Sequence, residues 1–191
     1  METAIAGILL CGGASRRFGA NKLLAGDEPI ALLAARNLHA GVGNVLAVLP
    51  LGDAALRSLL EAAGCRILET DRTARGMGAS LAAAVEASAS AGGWVVALGD
   101  MPLVRPATIA AIKAALERGA ILAAPCDARG QRGHPVGFSA VLRGELLALD
   151  GDVGARDVVA RHGASLKRVE TDDPGIFIDI DTAADLRELR A

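Results

Sequence analysis

The chain has 191 residues, 52% of them hydrophobic, and a formal net charge of −2, which suits one domain with a sizeable core. The slightly acidic balance and an aromatic content of 2%, with no Tyr, argue against nucleic acid as a partner, since neither a basic surface nor stacking platforms are on offer. No apolar run approaches spanning length without an interrupting charge, so no membrane partner is expected and a cytoplasmic location is.

Short β-like runs alternate with longer helix-like runs. Residues 4–10 read as a first strand, too short for a spanning helix and with no basic region ahead of it. Residues 29–40 read as a helix with Pro29 at its start and Gly41 at its end. A second strand is expected over 44–49. Asp53 can cap a helix over 54–63, in which Ala55, Leu56, Leu59, Leu60 and Ala63 share one face, and Gly64 stops it. Then come a strand over 65–69, a helix over 78–91 and a fully apolar strand over 94–98. A helix over 106–118 follows, with proline first and Gly119 last, and then a fifth strand over 120–124.

Beyond this point the pattern is less regular. Residues 129–135 form a polar, glycine-containing loop, and 135–138 are extended. Helices over 140–149 and 153–162 are split by Asp150-Gly151-Asp152. Residues 166–170 and 176–180 are expected to be extended, and Asp181 or Thr182 can cap a last helix over 183–190. Repeated β-α alternation with continuous apolar strands predicts an α/β fold whose sheet is covered on both faces. The loops after Leu10, Glu69, Leu98 and Ala124 then emerge at strand carboxyl ends, where ligands bind in open α/β sheets. Cys11, Cys65 and Cys126 are far apart and odd in number, so they suggest reduced thiols rather than a disulfide framework or zinc knuckle.

The first of these loops carries the strongest chemical signal. After Leu9 and Leu10 come Cys11, Gly12, Gly13, Ala14, Ser15, Arg16, Arg17, Phe18, Gly19, Ala20, Asn21 and Lys22. The spacing excludes a Walker A loop, which needs lysine directly after its last glycine, and a dinucleotide fingerprint. The chemistry of a polyphosphate cradle survives. Gly12 and Gly13 allow close backbone approach, successive N–H groups can face anionic oxygens, and Arg16, Arg17 and Lys22 supply positive charge. One of the arginines could instead form a structural salt bridge, and the competing reading of the whole segment is a solvated surface loop.

Asp100 follows Gly99 directly at the end of the fourth strand and precedes Met101 and Pro102. Mg²⁺ takes carboxylates, phosphate oxygens and waters, so Asp100 could hold it against a nucleotide. Asp179 and Asp181 share a face if their segment is extended. Asp181 is then either a second metal contact or a helix cap.

Together these segments resemble the molybdenum cofactor cytidylyltransferase family, within the MobA-like NTP transferase superfamily. The resemblance rests on Gly12 to Lys22, Leu98 to Pro102, Met77 to Leu81, Arg132 to Val136, Gly151 to Arg156 and Asp179 to Thr182, and it runs over nearly the whole chain. It implies a three-layer Rossmann-like nucleotidyltransferase fold with a mostly parallel, mixed central sheet, as one domain over 1–191. Residues 1–125 would form mainly the nucleotide-binding half and 126–191 mainly the acceptor-binding half. It implies transfer of CMP from CTP to molybdopterin, with Arg17, Lys22 and Asp100 catalytic and Mg²⁺ on Asp100 and Asp181. Leu10, Gly12, Gly13, Ser15, Arg16, Arg17, Lys22, Gly78 and Ser80 would line the nucleotide, and Arg132, His134, Asp152 and Arg156 the acceptor. A molybdoenzyme or its chaperone is a possible transient partner.

Several readings stay open beside this one. Ser80 is either a pocket hydroxyl or simply a polar residue in a starting helix. Arg156 either meets the acceptor or pairs with Asp152 along a helix, and His134 is either an acceptor-side or a structural loop histidine. The related cytidylyltransferases commonly carry Ala-Ala-Gly where this chain has Cys11-Gly12-Gly13, which is closer to the Ala-Gly-Gly of guanylyltransferases and leaves a purine donor open. Another phosphorylated acceptor is a further alternative. A nucleotide-dependent cofactor-binding or insertion chaperone is the non-enzymatic one.

Overall fold

The computed structural model describes residues 4–12 and 21–188. A seven-stranded sheet forms its centre. The strands are β1 (Ile5–Leu10), β2 (Val45–Leu49), β3 (Arg66–Glu69), β4 (Gly93–Leu98), β5 (Leu122–Cys126), β6 (Val136–Ser139) and β7 (Leu166–Glu170), in the order β3-β2-β1-β4-β6-β5-β7. The pairs β1–β2, β2–β3, β1–β4 and β5–β7 are parallel, and β6 runs antiparallel to both β4 and β5. The sheet is therefore mixed and mostly parallel.

The helices among the described residues are α1 (Ile30–Val42), α2 (Ala54–Ala62), α3 (Met77–Ala87), α4 (Pro106–Glu117), α5 (Arg143–Leu147), α6 (Arg156–Arg161) and α7 (Ala183–Glu188). Side chains alternate across each strand. Leu9 of β1 faces α1, α2 and α4, where Leu38, Leu60, Ile109 and Ile112 are buried. Ile8 and Leu10 face the other way, toward Leu81 and Val85 of α3, Leu146 of α5 and Val158 of α6. Two apolar layers thus sandwich one sheet, giving a three-layer α/β architecture.

The structure moves several expected boundaries. Helix α1 runs through Gly41 and ends at Gly43, whose φ of 85° caps it. Gly41 serves packing instead: a Cβ there would lie 2.4 Å from Cγ2 of Ile109, so α1 and α4 approach through it. Helix α3 stops at Ala87, where the Ser88 hydroxyl donates to Ala84 O and accepts from Trp94 Nε1. The stretch expected as one helix over 140–149 is a 3-10 turn (Ala140–Leu142) followed by α5, and α6 begins only at Arg156. The expected extended segment over 176–180 begins inside a 3-10 turn (Pro174–Phe177), because the Asp173 carboxylate accepts from Gly175 N and starts a turn.

Candidate active site

Strands β1 and β4 lie side by side, and the strands that follow them in the chain, β2 and β5, lie toward opposite edges of the sheet. Their carboxyl ends therefore open a crevice, the usual ligand position in such sheets. Gly99 N donates to Leu10 O at 2.9 Å, and a Cβ on Gly99 would lie 2.8 Å from Cys11 Sγ. Glycine is what lets the two loops close together. Cys11 is buried and its thiol pKa is pushed up, first by burial and then by neighbouring Cys65, Asp100 and Asp53. It packs as a small apolar side chain rather than acting as a nucleophile.

Three of the expected residues meet in this crevice. Lys22 Nζ donates to Asp100 Oδ2 at 2.8 Å and to Asp181 Oδ1 at 2.7 Å. Asn21 sets the lysine's position: its amide donates to Asp53 Oδ2 and its carbonyl oxygen accepts from Leu23 N, starting a short 3-10 turn (Lys22–Leu24). Ile180, fully buried, donates its backbone N–H to Asp100 O at 2.9 Å and so delivers Asp181 beside Asp100. The helix cap that competed for Asp181 is made by others. Thr182 Oγ1 accepts from Asp185 N, while Asp185 Oδ2 accepts from the N–H groups of Asp181 and Thr182. Burial pulls the Lys22 pKa down, but the bonds and charges of Asp100 and Asp181 outweigh it, and the ammonium stays above its ordinary value.

The donor set suits a hard divalent ion. Asp100 Oδ1 is buried and meets no hydrogen-bond partner among the described residues, and Asp181 adds a second carboxylate nearby. Among the described residues no group of three or more His, Cys, Asp or Glu forms a metal cage. Two carboxylates completed by phosphate and water match the habit of Mg²⁺.

Beside the crevice lies a cleft of about 240 Å³. Its floor is apolar, with Leu10, Leu81, Val96, Leu98, Val136 and Phe138, and Met77 and Val153 stand half-exposed at its mouth. All four expected acceptor residues, Arg132, His134, Asp152 and Arg156, line it. No ion pair joins Asp152 to Arg156 among the described residues, and Arg156 starts α6 instead of lying inside it. His134 is held by its backbone N–H on Ile176 O at 2.9 Å, and Gly133 next to it has no room for a Cβ, which would sit 2.4 Å from the same oxygen. Burial first, and Arg132 second, lower the His134 pKa, so the imidazole is neutral near pH 7. Its Nδ1 is buried without a partner among the described residues.

The start of α3 forms one wall. Gly78 N donates to Gly151 O, and Ser80 Oγ donates to Gly76 O. In this conformation both groups tie α3 to itself and to the 150–152 turn. A Cβ on Gly78 would meet Asp150 O at 2.8 Å, so the glycine is set by that contact. Arg75, just upstream, pairs with Asp150. Gly12 is equally constrained: a Cβ there would lie 2.8 Å from Thr73 Cγ2 and 3.3 Å from Ser80 Oγ. Gly13, Ser15, Arg16 and Arg17 lie outside the described residues. Sequence reasoning missed Asn21 as the anchor of Lys22 and Thr73 as the neighbour of Gly12, while Met77 and Val153 lie in segments it had picked out. Only Asn21 carried a local signal, as a capping residue before Lys22.

A crevice at a strand switch point, holding Lys22 against two aspartates beside an apolar cleft, fits a nucleotidyltransferase fold. The chain belongs to the MobA-like NTP transferase domain family, whose model matches residues 7–166, and its reaction is of the nucleotidyltransferase type. The chain is similar to the solved structure of Rv0371c from Mycobacterium tuberculosis H37Rv, at 28% identity, 98% of each chain and a TM-score of 0.80. A manganese complex of Rv0371c matches at 26% identity over 99% of this chain and 98% of that one, with a TM-score of 0.77. A nucleotidyl transferase from Methanothermobacter shares the fold at 23% identity, 98% and 96% coverage and a TM-score of 0.81. No curated protein matches the chain. Among the described residues no helix is long and apolar enough to cross a membrane.

Proposed function

We propose that the protein transfers a nucleoside monophosphate from an NTP to a small phosphorylated acceptor, with release of pyrophosphate. The observation that carries this is the Lys22–Asp100–Asp181 cluster, opening beside a cleft rimmed by Arg132 and Arg156. A phosphomonoester is already ionised near neutral pH, so the acceptor oxygen needs no strong general base. It attacks the α-phosphorus, an O–P bond forms, and the bond to pyrophosphate breaks in line with it. The chain's task is placement and charge neutralisation.

In this reading Lys22 and Arg17 hold the leaving phosphates, and the backbone around Gly12, Gly13, Ser15 and Arg16 faces the triphosphate. Leu10, Gly78 and Ser80 bound the nucleotide side. Asp100, with Asp181 as second contact, would hold Mg²⁺, which would supply charge neutralisation at the phosphates; the manganese complex of Rv0371c supports a capacity for divalent-metal binding. Residues 1–125 serve mainly the nucleotide and 126–191 mainly the acceptor, where Arg132, His134, Asp152 and Arg156 line the cleft. The protein works in the cytoplasm.

The finer reading is CTP as donor and molybdopterin as acceptor, with handover to a molybdoenzyme or its chaperone. It rests on the resemblance of Arg132–Val136 and Gly151–Arg156. A guanine donor has its own observation. The Thr73 methyl and Ser80 crowd the Gly12 position, so the loop packs with glycine where cytidylyltransferases commonly carry alanine. The test is a matrix of CTP, GTP, ATP and UTP against molybdopterin with Mg²⁺, read by mass analysis. A cytidylated product supports the finer reading and a guanylated one selects the second. Activity only with another phosphorylated molecule keeps the reaction class and replaces the acceptor.

A further inference from the structure

We propose that Lys22 guards the metal position: its ammonium and a divalent cation alternate on Asp100 and Asp181, so that metal entry releases Lys22 to the nucleotide. The inference rests on the assignment of these two aspartates to the metal and adds an exchange to it.

The geometry points to exchange rather than coexistence. Lys22 Nζ lies within 2.8 Å of Asp100 Oδ2 and 2.7 Å of Asp181 Oδ1, and its side chain is only 11% exposed. The ammonium already holds one oxygen of each carboxylate, and the unpartnered Asp100 Oδ1 belongs to the same group. An ammonium 2.7–2.8 Å from both carboxylates repels a divalent ion entering beside them. The segments that carry the two carboxylates are held together. Ile180 N is bonded to Asp100 O, which fixes the Asp181 segment to the Asp100 loop. The lysine backbone is fixed as well, through Asn21 and Asp53. The movable part is the four-carbon stem of Lys22, a flexible arm carrying a compact charge.

A nucleotide resolves the conflict, because its phosphates bring oxygens for the metal and a new partner for the ammonium. The bare protein then holds metal weakly, and metal and NTP tighten each other. Lys22 is thereby a positioning residue for the metal as well as a phosphate contact.

The test measures Mn²⁺ binding to the purified, nucleotide-free protein by electron paramagnetic resonance, in wild type and in K22M, K22Q, R132M and D100N. Circular dichroism confirms that each is folded, and K22Q carries the test if K22M is not. Expected is about tenfold or greater tightening of Mn²⁺ on removing the Lys22 charge. R132M, which deletes a positive charge from the adjoining cleft, should leave the affinity within about twofold. A non-hydrolysable NTP should then tighten Mn²⁺ more in wild type than in the Lys22 variants. Unchanged Mn²⁺ affinity in K22M and K22Q, with binding still lost in D100N, overturns the exchange and leaves the metal assignment standing. Equal tightening in R132M also overturns it, since the effect is then a general one of charge. Mn²⁺ binding indifferent to D100N removes the metal assignment and the exchange together.

Discussion

The two sides of the candidate site are built differently. The crevice side lies at the ends of adjacent parallel strands, β1 and β4, with Asp100 two residues beyond β4. The cleft side depends on β6, which runs antiparallel to β4 and β5, and on irregular turns around Gly133 and residues 150–155. The first side is polar and locked by charge, with Lys22 between two aspartates. The second has an apolar floor, and its arginines make no ion pairs with Asp152 among the described residues. A charged edge suits a triphosphate. An apolar pocket with basic groups on its rim suits a larger acceptor that carries its own phosphate.

Substitutions on the two sides should separate chemistry from acceptor capture. The largest effect is expected for Asp100→Asn, which should lower kcat about a thousandfold in steady-state pyrophosphate release while the circular dichroism spectrum is retained. Near-normal Mg²⁺-dependent turnover would remove Asp100 from the chemistry. Lys22→Met should lower kcat about a hundredfold, through loss of one charged contact to the leaving phosphates. Arg132→Ala and Arg156→Ala should instead raise the acceptor KM about tenfold each and leave the NTP KM nearly unchanged. A rise in NTP KM alone would place these arginines on the nucleotide side and collapse the comparison.

How much of this is legible in the sequence follows from how local each feature is. Lys22 and Asp100 stand out because glycine and charge follow directly on apolar strands, so the residues and their place are read together. Asp181 is ambiguous in sequence because one carboxylate can cap a helix or meet a cation. In the structure Thr182 and Asp185 make the cap bonds between them. Gly41 reads as a helix stop because glycine ends helices, yet it is kept for the close approach of Ile109 from a distant helix. The same holds for Gly12 and Thr73, which meet only through tertiary packing. The turn over 174–177 escapes notice because its signal is the Asp173 side chain, whose carboxylate also serves Arg105 N and Thr108 Oγ1 on α4.

Two smaller effects sharpen the account of the cleft side. Gly133→Ala puts a Cβ against Ile176 O and should destabilise the fold by about 1–3 kcal/mol, seen as a lower thermal midpoint. An unchanged midpoint would mean that the 132–136 loop yields easily and does not shape the acceptor side. The smallest effect concerns His134. Its folded pKa is depressed by burial, so the unfolded chain takes up the proton more readily. The stability His134 contributes is present above its unfolded pKa of about 6.5 and is lost as pH falls through the lower folded value. His134→Gln should flatten this part of the stability-against-pH curve in urea melts, and an unaltered curve would assign the slope to other groups.

The central claim is that the polar crevice and the apolar cleft act as one transferase site. Its most direct measurement is pyrophosphate release from NTP with and without a phosphorylated acceptor, in the presence of Mg²⁺. The account predicts release that depends on acceptor and is lost in Asp100→Asn. Tight NTP binding with no pyrophosphate under any acceptor or metal condition would contradict it and make the protein a nucleotide-binding module.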